Sequence, residues 1–293
     1  MKFIIGIGRS GTSLIQSFLF GQADQKVLPE NQLIRRIIIA NPVDRSYTQQ
    51  DLHILFKRNN PRFNNLLPFL KELALEFPVT GLEFLKIADK KFDGMIEKDA
   101  RNIDYISIIN KNIDSQYLLC IRDIRDVLIS RRKAQFSKRW TFLMDLFICK
   151  LQILGYFNHK HKATIYIQKY EDFLEGRYNG VSELIKSDQI NSKVDYQQVS
   201  KVLFSEEELS KHKTKNRDNV ISTNKGNWQK ASRFFVWMAD AFFYDYNLEF
   251  GYKTVYKSYG LIFINKIVNT ITDISYPIYL LYSKYRDRKF YRI

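Results

Sequence analysis

The sequence predicts an α/β fold with a doubly wound, mainly parallel sheet flanked by helices. Three observations carry this expectation. Short runs at residues 3–7, 116–121 and 163–168 have the length and apolar, β-branched content of strands, and the first two read as buried. Each leads into a stretch with helical periodicity, and strands alternating with helices build crossover units on a parallel sheet. The chain has 293 residues, 45% of them hydrophobic, enough for one large domain with a substantial core and a tail.

The first strand turns at Gly6-Ile7-Gly8-Arg9-Ser10-Gly11 into a helix that opens at Thr12-Ser13-Leu14 and runs to about Phe20, before Gly21. Glycines between a buried strand and a helix form a phosphate cradle, because the free amides of a helix N-terminus carry about half a positive charge. The spacing Gly6-x4-Gly11-Thr12-Ser13 nearly fits the Walker A loop of nucleoside triphosphatases, but Thr12 stands where that loop has lysine. Without that cation a triphosphate loses its main partner, so the ligand reads as a shorter anion needing no metal. Arg9, the hydroxyls of Ser10, Thr12 and Ser13, and the amides near Gly11 would meet it. The competing reading is an ordinary strand-turn-helix in which the glycines serve tight packing.

Residues 26–31 return the chain toward the nucleotide end. Glu30 precedes the helical run 32–37, where a carboxylate also simply favours the helix start. Two helical patterns, around 49–56 and 63–77 and broken by Asn59-Asn60-Pro61, look like an insertion that shapes an acceptor site. Lys98 stands at a strand-to-helix corner on the side where α/β sheets bind ligands, although a surface lysine is the plainer reading. After a helical stretch at 103–112, the strand at 116–121 runs into Arg122-Asp123-Ile124-Arg125-Asp126. With a helix starting near Asp123, Arg122 stays at the strand tip and Ser130 lies about two turns on, so a charged fork and a hydroxyl hold one phosphate. Pairing of Arg122 or Arg125 with Asp126, merely fastening the helix to the sheet, is the competing structural reading, and it is favoured for Arg125 alone. A long apolar helix over 136–156 precedes the third strand and the corner Lys169-Tyr170-Glu171-Asp172-Phe173. Glu206-Glu207-Glu208 reads as the acidic opening of a helix, 213–228 as a basic loop that closes over a nucleotide, and 231–246 as an aromatic helix ended near Gly251.

Lys and Arg outnumber Asp and Glu by 46 to 31, giving a net charge of +15, which implies polyanionic company: a nucleotide, a sulfated or phosphorylated glycan, or an anionic membrane. Cys120 and Cys149 form no disulfide framework, and His53, His159, His161 and His212 match no zinc spacing, so a reducing compartment and no metal are expected. A strand beginning at residue 3 leaves no room for a signal peptide, and the expected location is cytoplasmic. From Lys253 the tail holds eight Lys or Arg and nine Tyr or Phe. Lys266 and Asp273 interrupt its apolar clusters, at 261–264 and 278–282, against a membrane span. Two expectations remain for it: an amphipathic segment lying peripherally on the anionic inner face of a membrane, or a pair of helices packed on the main domain.

Four pieces of this chain resemble the sulfotransferases, the P-loop-related family that moves a sulfuryl group from 3'-phosphoadenosine 5'-phosphosulfate (PAPS) to an acceptor. Gly8-Arg9-Ser10-Gly11-Thr12-Ser13-Leu14 resembles the family's 5'-phosphosulfate loop. Arg122-Asp123-Ile124-Arg125-Asp126-Val127 with Ser130 resembles its 3'-phosphate motif, Tyr170-Glu171-Asp172-Phe173 its Tyr-Glu-Asp-Leu corner, and Lys225-Gly226-Asn227-Trp228 its Gly-x-Trp loop. The motif style is that of carbohydrate and tyrosylprotein members, and the resemblance covers most of residues 1–252, leaving 253–293 as a separate basic, aromatic tail. It implies a P-loop-like sulfotransferase fold with PAPS as co-substrate and no metal. It implies that Arg9, Ser10, Gly11, Thr12, Ser13, Arg122, Ser130, Tyr170, Lys225 and Gly226 bind PAPS. Glu30 falls where such enzymes place the general base, and Lys98 where they contact the bridging oxygen of the donor. Asp99 replaces the usual small hydroxyl residue, and no Lys-x-x-His-Leu-Pro segment is present to supply a histidine base. The implied acceptor is a hydroxyl, on a glycan or glycolipid, with no nucleic-acid partner. The alternatives are a P-loop kinase-like phosphotransferase and a non-catalytic polyanion-binding protein in which Glu30 and Lys98 are incidental.

Overall fold

The computed structural model describes residues 1–22, 25–134, 142–187, 189–191, 193–203, 225–256 and 259–292. The first half contains β1 (Lys2–Gly6), α1 (Thr12–Phe20), β2 (Ser46–Tyr47), α2 (Gln49–Lys57), α3 (Phe63–Glu72), β3 (Val79–Thr80), α4 (Gly81–Lys91), β4 (Ile96–Lys98), α5 (Ile106–Asn112), β5 (Gln116–Ile121) and α6 (Ile124–Lys133). The second half adds α7 (Phe142–His159), β6 (Thr164–Lys169), α8 (Tyr170–Leu174), α9 (Asn179–Ile185), α10 (Tyr196–Leu203), α11 (Arg233–Phe242), α12 (Tyr244–Phe250) and a C-terminal helix, Tyr259–Tyr291.

The expected α/β architecture is borne out. The main sheet has the order β4-β1-β5-β6 with every pair parallel. Its registers place Ile4 of β1 beside both Lys98 and Leu118. Alternate side chains of β1 and β5 feed two cores. Phe3, Ile5, Tyr117, Leu119 and Ile121 join the larger one with α5, α7 and α11, while Ile4, Leu118 and Cys120 join a smaller one with α1 and α9. Burial on both faces is why these strands lack polar alternation. The insertion is tied to the domain by a short antiparallel pairing of β2 with β3, and Thr48 and Thr80 each form a capping box at the next helix.

Three expectations need adjusting. The run 32–37 does open a helix, but only Leu33 and Ile34 of it are α-helical. A π-helical turn, Arg35–Ile39, stands there, with Arg35 and Arg36 both buried although adjacent in sequence. The aromatic stretch 231–246 is two helices that meet at Phe243 and end at Gly251, whose left-handed backbone suits glycine. The tail forms one helix rather than a pair. Both of its apolar clusters lie on it, and it packs on α7, α11 and the Arg35–Ile39 turn. The first residues of the helix expected at 136–156, the run Glu206-Glu207-Glu208 and most of the basic loop 213–228 lie outside the described residues.

The tail is fixed by charge as well as by apolar contact. Asp287, 1% exposed, accepts hydrogen bonds from Arg35 Nη1 (3.2 Å), Arg101 Nη1 (3.1 Å) and Tyr105 Oη (2.7 Å). Arg35 also donates from Nε to Asp99 at 2.6 Å. A buried carboxylate between two guanidinium groups matters most when it is removed, because the cations then lose their counter-charge. The substitution Asp287→Ala is expected to cost about 3–5 kcal/mol, read as a lower urea midpoint at constant slope. At exposed Arg288, Arg288→Ala is expected to change stability by less than about 0.5 kcal/mol.

Candidate active site at the carboxyl ends of the strands

Parallel α/β sheets bind ligands beyond the carboxyl ends of their strands, and here each strand of the main sheet delivers a candidate residue there. β1 leads into the Gly6–Gly11 loop, β4 ends on Lys98, β5 hands over to Arg122, and β6 to Tyr170. In the loop, Arg9 and Gly11 both have positive φ, 82° and 101°. At Gly11 the absence of a side chain is required twice over, since a Cβ there would lie 2.5 Å from Cδ2 of Tyr170. Gly11 provides no side-chain cap for the nine-residue helix α1, whose first amides are the kind of donors that anions use. Ser10 and Thr12 are buried, Ser13 is half-buried, and Ser10 Oγ has no hydrogen-bond partner among the described residues.

Two remote segments close on this loop. Arg9 Nε donates to Ser130 Oγ on α6 at 3.2 Å, so residues 121 apart in sequence meet here. The Arg122 guanidinium lies over the Tyr170 ring, 4.5 Å from its centroid, and Tyr170 in turn fills the space beside Gly11. Burial pushes the Arg9 guanidinium below its ordinary pKa, and the nearby cations Arg122 and Arg131 push it the same way. Arg131 is balanced by Asp145 at 3.1 Å, and Arg122 lies 3.8 Å from Asp126.

Asp126 has a task that its position in the first helical turn did not reveal. Its carboxylate accepts from the backbone amides of Gly226 (2.8 Å) and Trp228 (3.0 Å), pinning the Gly-x-Trp segment to α6. The Gly226 amide is thus engaged by a carboxylate, and Lys225 turns outward to pair with Glu175. Arg125 is a fastener, but its partners are Asp123 at 2.7 Å and Asp240 at 3.3 Å rather than the expected Asp126. It also covers the Trp228 ring at 3.7 Å. Asp126 is instead occupied by the loop amides, which explains the exchange.

On the other side of β1, Glu30 and Lys98 meet directly. Lys98 Nζ and Arg62 Nη1 both donate to Glu30 Oε2, the latter at 2.9 Å. Burial alone would raise the Glu30 pKa, but Lys98 and Arg62 outweigh it and hold the carboxyl near 2. Arg62 went unremarked in the sequence; its only signal was the Asn59-Asn60-Pro61 break that places it at the start of α3. Asp99, the departure from the family motif, points to other work, accepting from the Arg101 amide at 3.0 Å and pairing with Arg35.

No family model matches the chain, and no curated protein matches it by sequence. Among solved structures, the sulfotransferase domain from the Synechococcus PCC 7002 olefin synthase is similar, with a TM-score of 0.56 at 13% identity over 79% of this chain and 88% of that one. The chain has a sulfotransferase fold. The sulfotransferase domain from the curacin biosynthetic pathway is also similar, with a TM-score of 0.46 at 14% identity over 68% of this chain and 77% of that one. In this sulfotransferase fold the two clusters flank β1, with the Arg9–Ser130–Arg122 group toward β5 and the Glu30–Lys98 pair toward β4.

At the edge of the sheet, β4 also contains a buried titratable group next to Lys98 in sequence. Burial, aided by Asp99, lifts the Glu97 carboxyl to about 8, against the hydrogen bonds from the Leu33 and Ile34 amides and from Asn102. Its folded pKa exceeds the ordinary 4.5. Across that window the unfolded chain releases a proton that the folded chain keeps, so stability falls as pH rises. The Glu97→Gln variant lacks this slope. Relative to the unsubstituted protein, its melting temperature is expected to gain at least about 2 °C between about pH 5 and about pH 8. A difference independent of pH would contradict the assignment.

Proposed function

We propose that this protein transfers a sulfuryl group from PAPS to a hydroxyl of an acceptor, with a glycan or glycolipid as the acceptor class. The observation that carries this reading is the Arg9–Ser130 hydrogen bond. It joins the loop suited to a 5'-phosphosulfate with the Arg122 and Ser130 segment suited to a 3'-phosphate, which is the combination that separates PAPS from ATP. The crowding of Arg9, Arg122 and Arg131 supports it further, since cations held together against repulsion favour a ligand with several negative charges. Lys225 and Gly226 would close the same ligand in after local rearrangement, because both have partners in this state.

The chemistry follows from Glu30 and its two cations. Glu30 would take the proton of the acceptor hydroxyl as that oxygen attacks sulfur, while the sulfur–oxygen bond to the 5'-phosphate breaks. Lys98 would leave Glu30 for the bridging oxygen, and with Arg9 and the α1 amides it would stabilise the charge gathering on the departing phosphate. That transfer also improves the base. With Lys98 gone, Glu30 keeps only Arg62, its affinity for a proton rises, and it becomes able to act when the donor is in place.

Adding 3'-phosphoadenosine 5'-phosphate without metal is expected to raise the melting temperature, whereas ATP with Mg²⁺ leaves it unchanged; equal responses would mark a general anion binder. Substituting Arg122→Ala is expected to remove the response. In a transfer assay with labelled PAPS and a panel of glycan and glycolipid acceptors, Glu30→Gln is expected to lower kcat by about 10²–10⁴ with nucleotide binding retained. Unchanged kcat would remove Glu30 from the reaction.

A further inference from the structure

The C-terminal helix has two apolar faces, and the domain accounts for one. Leu261, Val268, Thr272, Tyr276 and Asp287 recur at three- to five-residue steps or their multiples, and all are buried against the domain. About half a turn away, Phe263, Ile267, Ile274, Ile278, Leu281 and Tyr285 form a second row at helical spacing. These face solvent: Phe263 is 65% exposed, Ile274 70%, Ile278 68%, Leu281 67% and Tyr285 66%. Single exposed apolar side chains need no explanation, but a continuous row on a helix about 50 Å long does.

The charges beside the row indicate what covers it. The helix carries Lys266, Lys284, Arg286, Arg288 and Lys289, against Asp273 and Asp287. Asp287 is already neutralised by Arg35 and Arg101, with Arg286 3.9 Å away, which leaves four cations against one outward carboxylate. We propose that this face docks on the surface of an anionic phospholipid bilayer, with the helix lying in the plane of the membrane and the apolar row sunk to the headgroup boundary. Lipid phosphates supply the missing negative charge. A second copy of the chain would instead bring the same cations together. No described helix is long and apolar enough to cross a membrane, which fits surface attachment rather than insertion.

The helix would dock the whole domain in one orientation, because its far end is tied to the insertion. Arg58 Nη1 donates to the carbonyl of Arg292 at 2.6 Å, Asn59 Nδ2 to that of Phe290 at 3.3 Å, and the Arg36 guanidinium covers the Tyr291 ring at 4.4 Å. The same insertion carries Arg62, the partner of Glu30. Docking itself does not depend on the proposed reaction, so the two fail or stand separately.

Vesicle flotation with the full chain tests the proposal. The protein is expected to float with phosphatidylcholine vesicles containing about a third phosphatidylglycerol, to stay behind with pure phosphatidylcholine, and to dissociate as salt is raised. The double substitution I274E/I278E, on exposed positions, is expected to lower the partition coefficient at least about tenfold with an unchanged melting temperature. Three results would overturn the proposal: no flotation with anionic vesicles, equal flotation of I274E/I278E, or light scattering that shows a dimer dissociated by I274E/I278E.

Discussion

Electrostatic repulsion among Arg9, Arg122 and Arg131 is the constraint around which the site is built. Three guanidinium groups gathered at the ends of neighbouring strands would drive the segments apart unless each were held from another direction. α7 brings Asp145 to Arg131, α6 brings Ser130 to Arg9 and Asp126 toward Arg122, and α8 opens after β6 with a tyrosine ring that lies against Arg122. The parallel sheet makes this possible because adjacent strands end on the same side, where α6 and α7 bring their counter-groups together. Positive potential is thereby concentrated where a polyanion would enter, and the flanking helices absorb the strain.

The other half of the site shows the same economy with signs reversed. One carboxylate, Glu30, serves two cations, and Asp99 at the end of β4 is drawn off to Arg35. A small hydroxyl residue at position 99 would leave Arg35 with only Asp287. The departure from the family motif is thus coupled to a C-terminal helix that the motif itself does not describe.

What the sequence disclosed, and what it hid, follows from the range of the interactions. The limits of α1, Thr12–Phe20, were legible because Gly11 and Gly21 bracket an apolar helical run, and β5 because six successive residues suit a buried strand. The loop, Arg122, Ser130, Glu30 and Lys98 were legible as types at meaningful spacing. Edge strand β4 was legible only as a corner, since three residues containing Glu97 and Lys98 do not read as buried. Arg62 and Asp126 escaped because their partners, Glu30 and the Gly226–Trp228 amides, lie far away along the chain. Arg125 was assigned the right kind of role with the wrong carboxylate: Asp123 and Asp126 both lie within two residues of it, and the distant Gly226 and Trp228 amides take up Asp126.

The clamp on Asp287 has a consequence for where the chain can be shortened. Composition marks a boundary near residue 252, but the free energy does not respect it. A fragment ending there would leave Arg35 and Arg101 with their shared counter-ion deleted, Arg101 being only three residues beyond Lys98. The last helix is therefore a structural wedge behind β4, and trimming it would disturb the Glu30–Lys98 side of the candidate site before it touched anything at the surface.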